Sequence, residues 1–196
     1  MTSATTLRDA AKQAYSAIAQ QPQGDPPFPT GRALAEDLGY PPALLDTLPT
    51  TSVEGFCGVS NVSLFAEIPE GATVLDLGAG AGLDTLIAAG RTGERGQVIA
   101  IDFSPAMLTR TRQAIAGMQA TNIKTHLADA EQLPIDRESV DIVIVNGIFN
   151  LNPYREKIFS ELARVLKPGG AVYAAELILS VPLPTECRCE VEDWFS

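Results

Sequence analysis

The chain has 196 residues, 45% of them hydrophobic and 19% charged, a balance that is ordinary for one soluble globular domain able to bury a core of its own. Its net charge of −10 at pH 7, with no basic run among its 14 Lys and Arg, sets nucleic acid aside as an expected partner. No apolar run reaches the roughly 20 residues that span a bilayer, and Met1 to Gln20 lacks a basic segment followed by an apolar core, so a cytoplasmic protein without membrane contact is expected.

In chain order, Leu7, Ala10, Ala11, Ala14 and Ile18 recur at helical spacing and predict a helix over Thr6–Gln21. The four prolines between Pro22 and Pro29 then require a loop or extended linker. Short helices are expected at Gly31–Leu38 and Pro41–Leu48, followed by a Gly- and Ser-bearing loop from Thr50 to Ser63. Residues 1–63 thus read as a helical leader that caps a domain formed by residues 64–196. From Thr73 the pattern changes to short apolar runs rich in β-branched residues, predicting strands at Thr73–Leu77, Gln97–Ile101, Ile123–Leu127, Val140–Asn146 and Ala171–Leu179. Helices are expected between them at Gly82–Arg91, Pro105–Gln119 and Tyr154–Leu166, with a short one near Ala130–Leu133. This alternation predicts an α/β fold, a mostly parallel sheet with crossover helices on its faces. Ser104 before Pro105 is a helix start, with the serine as N-cap, and Lys167-Pro168-Gly169-Gly170 is a helix stop and turn. Three cysteines, Cys57, Cys187 and Cys189, are an odd number and argue for reduced thiols over a complete disulfide framework.

The most informative segment runs from Val74 to Asp84, an apolar strand that ends in Gly78-Ala79-Gly80-Ala81-Gly82 and enters a helix. Glycines at the carboxyl end of a first strand let a ligand approach the backbone and allow the positive φ of a tight strand-to-helix turn; a merely glycine-rich turn is the alternative. Asp102 closes the second strand at about the spacing, ~20 residues, of a carboxylate that takes a ribose diol, and the alternative is a cap for the helix at Ser104. A dinucleotide site would prefer a glycine where Leu83 stands, and Asp76 and Asp84 flank the loop with charge that opposes a pyrophosphate. A phosphate-free, cationic cofactor such as S-adenosylmethionine fits these carboxylates better than NAD.

The segments Val74–Gly82, Ile101–Leu108, Val140–Asn146, Ile148–Asn152 and Arg164–Gly170 together resemble the class I S-adenosylmethionine-dependent methyltransferases. Gly55-Phe56-Cys57-Gly58-Val59-Ser60-Asn61 and Asn146-Gly147-Ile148-Phe149-Asn150-Leu151 are similar to the arsenite methyltransferase-like branch. The resemblance implies a Rossmann-like core that lacks the last two strands of the family, with an open fifth strand along which a second copy could pair as a homo-oligomer. It implies that Asp76, Gly78, Gly80 and Gly82 hold the methionine moiety and Asp102 the ribose. Phe103 and Met107 would pack near the adenine, Asp129 and Ala130 would meet its amino group and ring, and Asn146 would face the methionyl side. The implied activity is methyl transfer to a small-molecule acceptor. Arsenite methyltransferases carry a cysteine where Gly147 stands, so Cys57, Cys187 and Cys189 read as incidental and no metal site is expected.

Transfer from a sulfonium needs alignment and exclusion of water more than a dedicated base, so no catalytic base is assigned, and His126 inside the third strand reads as structural. Three readings compete. Asn152-Pro153-Tyr154 faintly resembles the Asn-Pro-Pro-Tyr motif of base-modifying amino methyltransferases, but it reads more simply as an N-cap and first turn. A non-catalytic cofactor-binding scaffold is the second, and an NAD-dependent oxidoreductase on the same sheet logic is the third.

Overall fold

A computed structural model of the chain describes residues 4–20 and 28–178, with side chains described from residue 9. The leader supplies α1 (Ala4–Gln20), α2 (Gly31–Asp37), α3 (Pro42–Leu45), α4 (Thr50–Val53) and α5 (Val62–Phe65). The α/β part follows as β1 (Thr73–Leu77), α6 (Leu83–Thr92), β2 (Gln97–Asp102), α7 (Pro105–Met118), β3 (Ile123–Leu127), β4 (Val140–Asn146), α8 (Arg155–Val165) and β5 (Leu166–Ala175).

The strands form one sheet in the order β3-β2-β1-β4-β5, and every neighbouring pair is parallel. Successive connections run outward from β1 on one side through β2 to β3, and on the other through β4 to β5, so the strand order reverses between β1 and β4. Connections on either side of such a reversal diverge and leave a crevice beyond the carboxyl ends of the strands. Both faces of the central strands are covered, as a parallel sheet requires. On one face Val74, Val98, Ile142 and Ile144 pack with Ala88 and Ala89 of α6 and Val62 of α5. On the other, Leu75, Leu77, Ile101, Val143 and Val145 pack with Ile158, Leu162 and Val165 of α8.

Three expectations need correction. The stretch Thr50–Ser63 is not a plain loop, since it holds α4 and the start of α5; the Ser52 hydroxyl bonds Pro49 O at 2.8 Å, and Ser63 is drawn into a buried bond with Asp84. No helix forms near Ala130–Leu133, because that backbone is tied to α8: Leu133 N donates to Glu161 Oε2 at 2.7 Å, and Arg164 donates to the carbonyls of Leu133 and Ile135. The last strand begins at Leu166 rather than Ala171. Leu166 pairs with Val140 and Ala171 with Ile142, so four residues, Lys167 to Gly170, loop out between two paired positions. Gly169 adopts φ +85° there, and Lys167 Nζ reaches the Asp141 carboxylate at 2.8 Å. A helix-stop sequence is thereby threaded into the sheet as a bulge. The strand ends at Ala175; Leu179, Cys187 and Cys189 fall outside the described residues.

The leader is not a separate layer. Ala35, Tyr40, Leu45, Val53 and Phe56 form one buried cluster with Leu83 and Ile87 of α6, and Ile18 and Ala19 of α1 pack with Ala81 and Met107. Arg110 of α7 bonds Ala19 O at 2.6 Å and Thr51 O at 3.0 Å, joining the end of α1 to α4.

Candidate active site

β1 delivers Asp76 at the sheet's carboxyl edge and then turns through Gly78, Gly80 and Gly82 at φ +83°, +54° and +91°. These left-handed values are the physical reason for glycine, because a Cβ clashes with the following carbonyl. Gly78 N and Ala79 N donate to Ile101 O at 2.8 and 2.9 Å, folding the loop over the end of β2. Asp102 is the hub. One carboxylate oxygen accepts from Gly80 N and the other from Ser104 N, each at 2.8 Å. Burial pushes its acid up to about 6, opposed by those backbone bonds. Ser104 Oγ accepts from Met107 N at 3.4 Å and caps α7, so Asp102 is not the cap of that helix.

A second carboxylate, Asp76, accepts from the Thr85 hydroxyl, and burial, with the charge of Asp84 next, pushes it up to about 8. Asp84 in the first turn of α6 is also raised by burial, although Ser63, Tyr40 and Asn146 all donate to it. Tyr40 Oη donates at 2.5 Å and Asn146 Nδ2 at 2.8 Å. Asn146 uses its remaining capacity on the leader: Oδ1 accepts from Val59 N at 2.8 Å and Ser60 N at 3.1 Å, and Nδ2 donates to Ser60 O at 2.7 Å. Asp84 and Asn146 therefore clasp the 57–63 segment to the ends of α6 and β4.

The crevice beyond β1, β2 and β4 is an apolar-walled cavity. Of the ten residues singled out from sequence, eight line it: Asp76, Gly78, Gly80, Asp102, Phe103, Asp129, Ala130 and Asn146. Gly82 and Met107 do not. Gly82 sits at the start of α6, where a Cβ would meet Thr111 Cγ2 at 2.9 Å. Met107 is buried with Ile18, Ala19 and Ala81, where it helps seat α1. The residues that sequence reasoning missed come from the leader and the turn after β4: Ala11, Tyr15, Phe56, Gly58, Ile148 and Leu151. Tyr15 lies 5.5 Å from Phe28, ring to ring, and burial raises its phenol. Cys57 also lines the cavity, and burial pushes its thiol up to about 12, so it stays protonated. His126 is not among the lining residues; it pairs in register with Ile101 inside the sheet.

The donor set suits a cationic nucleoside. Asp76, Asp84 and Asp102 are all buried, and among the described residues no lysine, arginine or histidine lines the cavity to balance them. Asp102, at the end of β2, presents a buried carboxylate to the cavity as an acceptor for a vicinal diol. A Cβ on Gly80 would meet no atom within 4 Å, so the backbone there is open to a ligand.

The fold and this crevice define a Rossmann-like protein with its ligand site at the switch point of the sheet. A family profile described as "Methyltransferase domain" matches residues 68–195. The arsenite methyltransferase of Halobacterium salinarum is 38% identical over 133 residues, which cover 68% of this chain and 34% of that protein. The demethylmenaquinone methyltransferase of Shouchella clausii is 35% identical over 111 residues, 56% of this chain and 47% of that one. The crystal structure of the arsenic (III) S-adenosylmethionine methyltransferase of Chlamydomonas reinhardtii superposes with a TM-score of 0.63 at 34% identity, covering 69% of this chain and 49% of that one. With the profile spanning well over half its length, the chain belongs to this methyltransferase domain family, in the class I, arsenite methyltransferase-like branch. It spans about a third of the length of the arsenite methyltransferase relative. No helix among the described residues is long and apolar enough to cross a membrane.

Proposed function

We propose that the protein binds S-adenosylmethionine in this crevice and transfers its methyl group to a small-molecule acceptor. The observation that carries the reading is the set of three buried carboxylates facing a cavity whose described walls hold no cation. When bound, the cofactor would supply an electrophilic methyl on a sulfonium, with the neutral thioether of S-adenosylhomocysteine as leaving group. Asp102 accepts hydrogen bonds from the ribose hydroxyls, Phe103 and Ala130 wall the adenine with Asp129 at its edge, and Asp76 with Gly78 and the open backbone at Gly80 holds the amino-acid end. Gly82 and Met107 support the loop and α1 without touching the ligand, and Asn146 acts as the clasp. Residues 1–63 serve as the cap over the cofactor domain of residues 64–196, contributing Tyr15, Phe56 and Cys57 to the acceptor side.

Alignment of the acceptor and exclusion of water by that cap supply the rate, in the absence of any assigned base. A trivalent arsenic acceptor is the second reading, favoured by the names of the relatives and by the place of Cys57 in the cavity wall. Against it stand Gly147 in place of a thiol and a Cys57 thiol held protonated, since soft arsenic is gripped by thiolates. Edge-to-edge pairing of two copies along β5 belongs to the same proposal, supported by the unpaired outer edge of that strand among the described residues, and sedimentation of the purified chain tests it.

Methyl-labelled cofactor, incubated with the protein and separate acceptors (arsenite with glutathione, a quinol, a simple thiol and an aliphatic amine), tests the activity. Label carried to one acceptor with matching release of S-adenosylhomocysteine supports it; cofactor binding without transfer to any acceptor favours a non-catalytic binding protein instead.

A further inference from the structure

Beyond the cofactor-facing residues, one carboxylate organises the turn that roofs half of the cavity. Glu176 stands immediately after β5, and its Oε1 accepts from both Ile148 N and Phe149 N at 2.7 Å, while Oε2 accepts from Asn150 N at 3.3 Å. Just before these, Gly147 N donates to Ala175 O at 2.9 Å, so the β4–β5 ladder runs directly into the Glu176 carboxylate. Four consecutive amides are thereby aimed at β5 and its end, the last three at one anion. The Asn150 side-chain Nδ2 donates to Leu177 O, and Arg155 Nε holds Phe149 O at 2.8 Å.

What this turn carries matters for the ligand. Ile148, Leu151 and Asn152 line the cavity, and Ile148 sits so close over the glycine loop that a Cβ on Gly78 would lie 2.5 Å from its Cγ2. The sheet order gives the cavity a direction: Asp102, Phe103, Asp129 and Ala130 lie past the ends of β2 and β3, whereas Asp76, Gly78, Gly147 and Ile148 lie past β1 and β4. The Glu176-held turn therefore covers the end opposite the adenosine contacts.

We infer that Glu176 is a positioning residue which fixes the 148–150 turn over the amino-acid and sulfur end of the cofactor crevice. This inference rests on the cofactor reading above. Removing the carboxylate leaves three amides without their acceptor, and the turn, with Ile148, loses its fixed height above Gly78. A glutamine keeps one acceptor oxygen for two of the amides but turns a donor toward the third, so it retains part of the effect.

The test compares two probes by calorimetry, S-adenosylhomocysteine, which occupies both ends, and adenosine, which occupies one. In Glu176→Ala, S-adenosylhomocysteine affinity is expected to fall about tenfold and adenosine affinity to stay within about twofold. Glu176→Gln is expected between wild type and Ala, and amide exchange at Ile148, Phe149 and Asn150 is expected to quicken in the same order. Equal weakening of both probes marks general loss of structure and overturns the inference, as does no change in either. Should Glu176→Ala fail to fold, the ratio of the two affinities in Glu176→Gln decides by the same criterion. Wild-type protein that binds neither probe refutes the cofactor reading, and this inference with it; wild-type binding with an unchanged ratio in the variants refutes this inference alone.

Discussion

The β1–β2 end of the crevice and its β4 end are assembled in different ways. The first is built within the sheet: Asp102 at the end of β2 bonds Gly80 of the loop after the adjacent β1, 22 residues away, and Ser104, two residues on. The second is built from distant pieces, with Tyr40, Ser60 and Ser63 of the leader brought to Asp84 and Asn146, and the turn after β4 brought to Glu176. The contrast teaches that the β1–β2 end is carried by the core of the sheet, whereas the β4 end depends on a few polar bonds that tie the leader and the end of β5 to it. Each kind of construction fails in its own way when disturbed.

The largest effect is expected at the clasp. Asn146→Ala strands the amides of Val59 and Ser60 and removes a donor from the buried Asp84, so unfolding in urea is expected to cost about 3 to 4 kcal/mol less than in wild type. Leader and sheet should loosen together, seen as protease cleavage near residue 60; a loss below about 1 kcal/mol would mean that the two halves are not coupled through this residue.

Next comes Asp102→Ala. Losing two hydrogen bonds to a carboxylate is expected to lower S-adenosylhomocysteine affinity about a hundredfold, with some loss of stability as well because Ser104 N is left buried without its acceptor.

The buried acids make a third, pH-dependent difference. Asp76 titrates at about 8 in the folded chain against an ordinary 3.8. The folded state therefore binds more protons than the unfolded one between those values, and stability drains away as pH rises through that window. Asp102, held at about 6, adds to the fall over the lower part. Asp76→Asn, which cannot ionise, is expected to gain at least about 1 kcal/mol more over wild type at pH 8 than at pH 5. Melting at the two pH values checks it, and an equal gain at both would show that Asp76 ionises freely. A cationic ligand favours the ionised acid, so binding at pH 7 is expected to release a proton, read from calorimetry in buffers of different ionisation heat.

The smallest change is expected at Met107. It packs in the α1 cluster and not in the cavity, so Met107→Leu should cost under about 1.5 kcal/mol and leave cofactor affinity unchanged. A tenfold loss of affinity would return Met107 to the adenine contact that the family resemblance implied.

Much of the β1–β2 end could be read from sequence, because its signals are local. β1, β3 and β4 fall at the expected residues, since short apolar runs bounded by turns have few other ways to bury themselves. The glycine loop and Asp102 announce themselves by spacing. The β4 end was harder to read because its determinants are partners, not patterns. Nothing near Ser63 or Tyr40 in sequence points to Asp84, and the four residues of α4 and of α5 are too short for a periodic signal. At β5 the local and long-range signals conflict: Lys167-Pro168-Gly169-Gly170 is a stop signal for the helix, yet Leu166 already pairs with Val140 across the bulge. Glu176 has no motif at all, and only the three amides converging on it reveal its place.

The central claim is that the buried carboxylates of this crevice select a phosphate-free nucleoside that carries an ammonium group. The direct measurement is calorimetric titration of the purified chain with S-adenosylmethionine, S-adenosylhomocysteine and NAD, alongside Asp102→Ala. The account predicts saturable binding of the first two, weakened in the variant, and no binding of NAD; selective binding of NAD by a folded sample would contradict it.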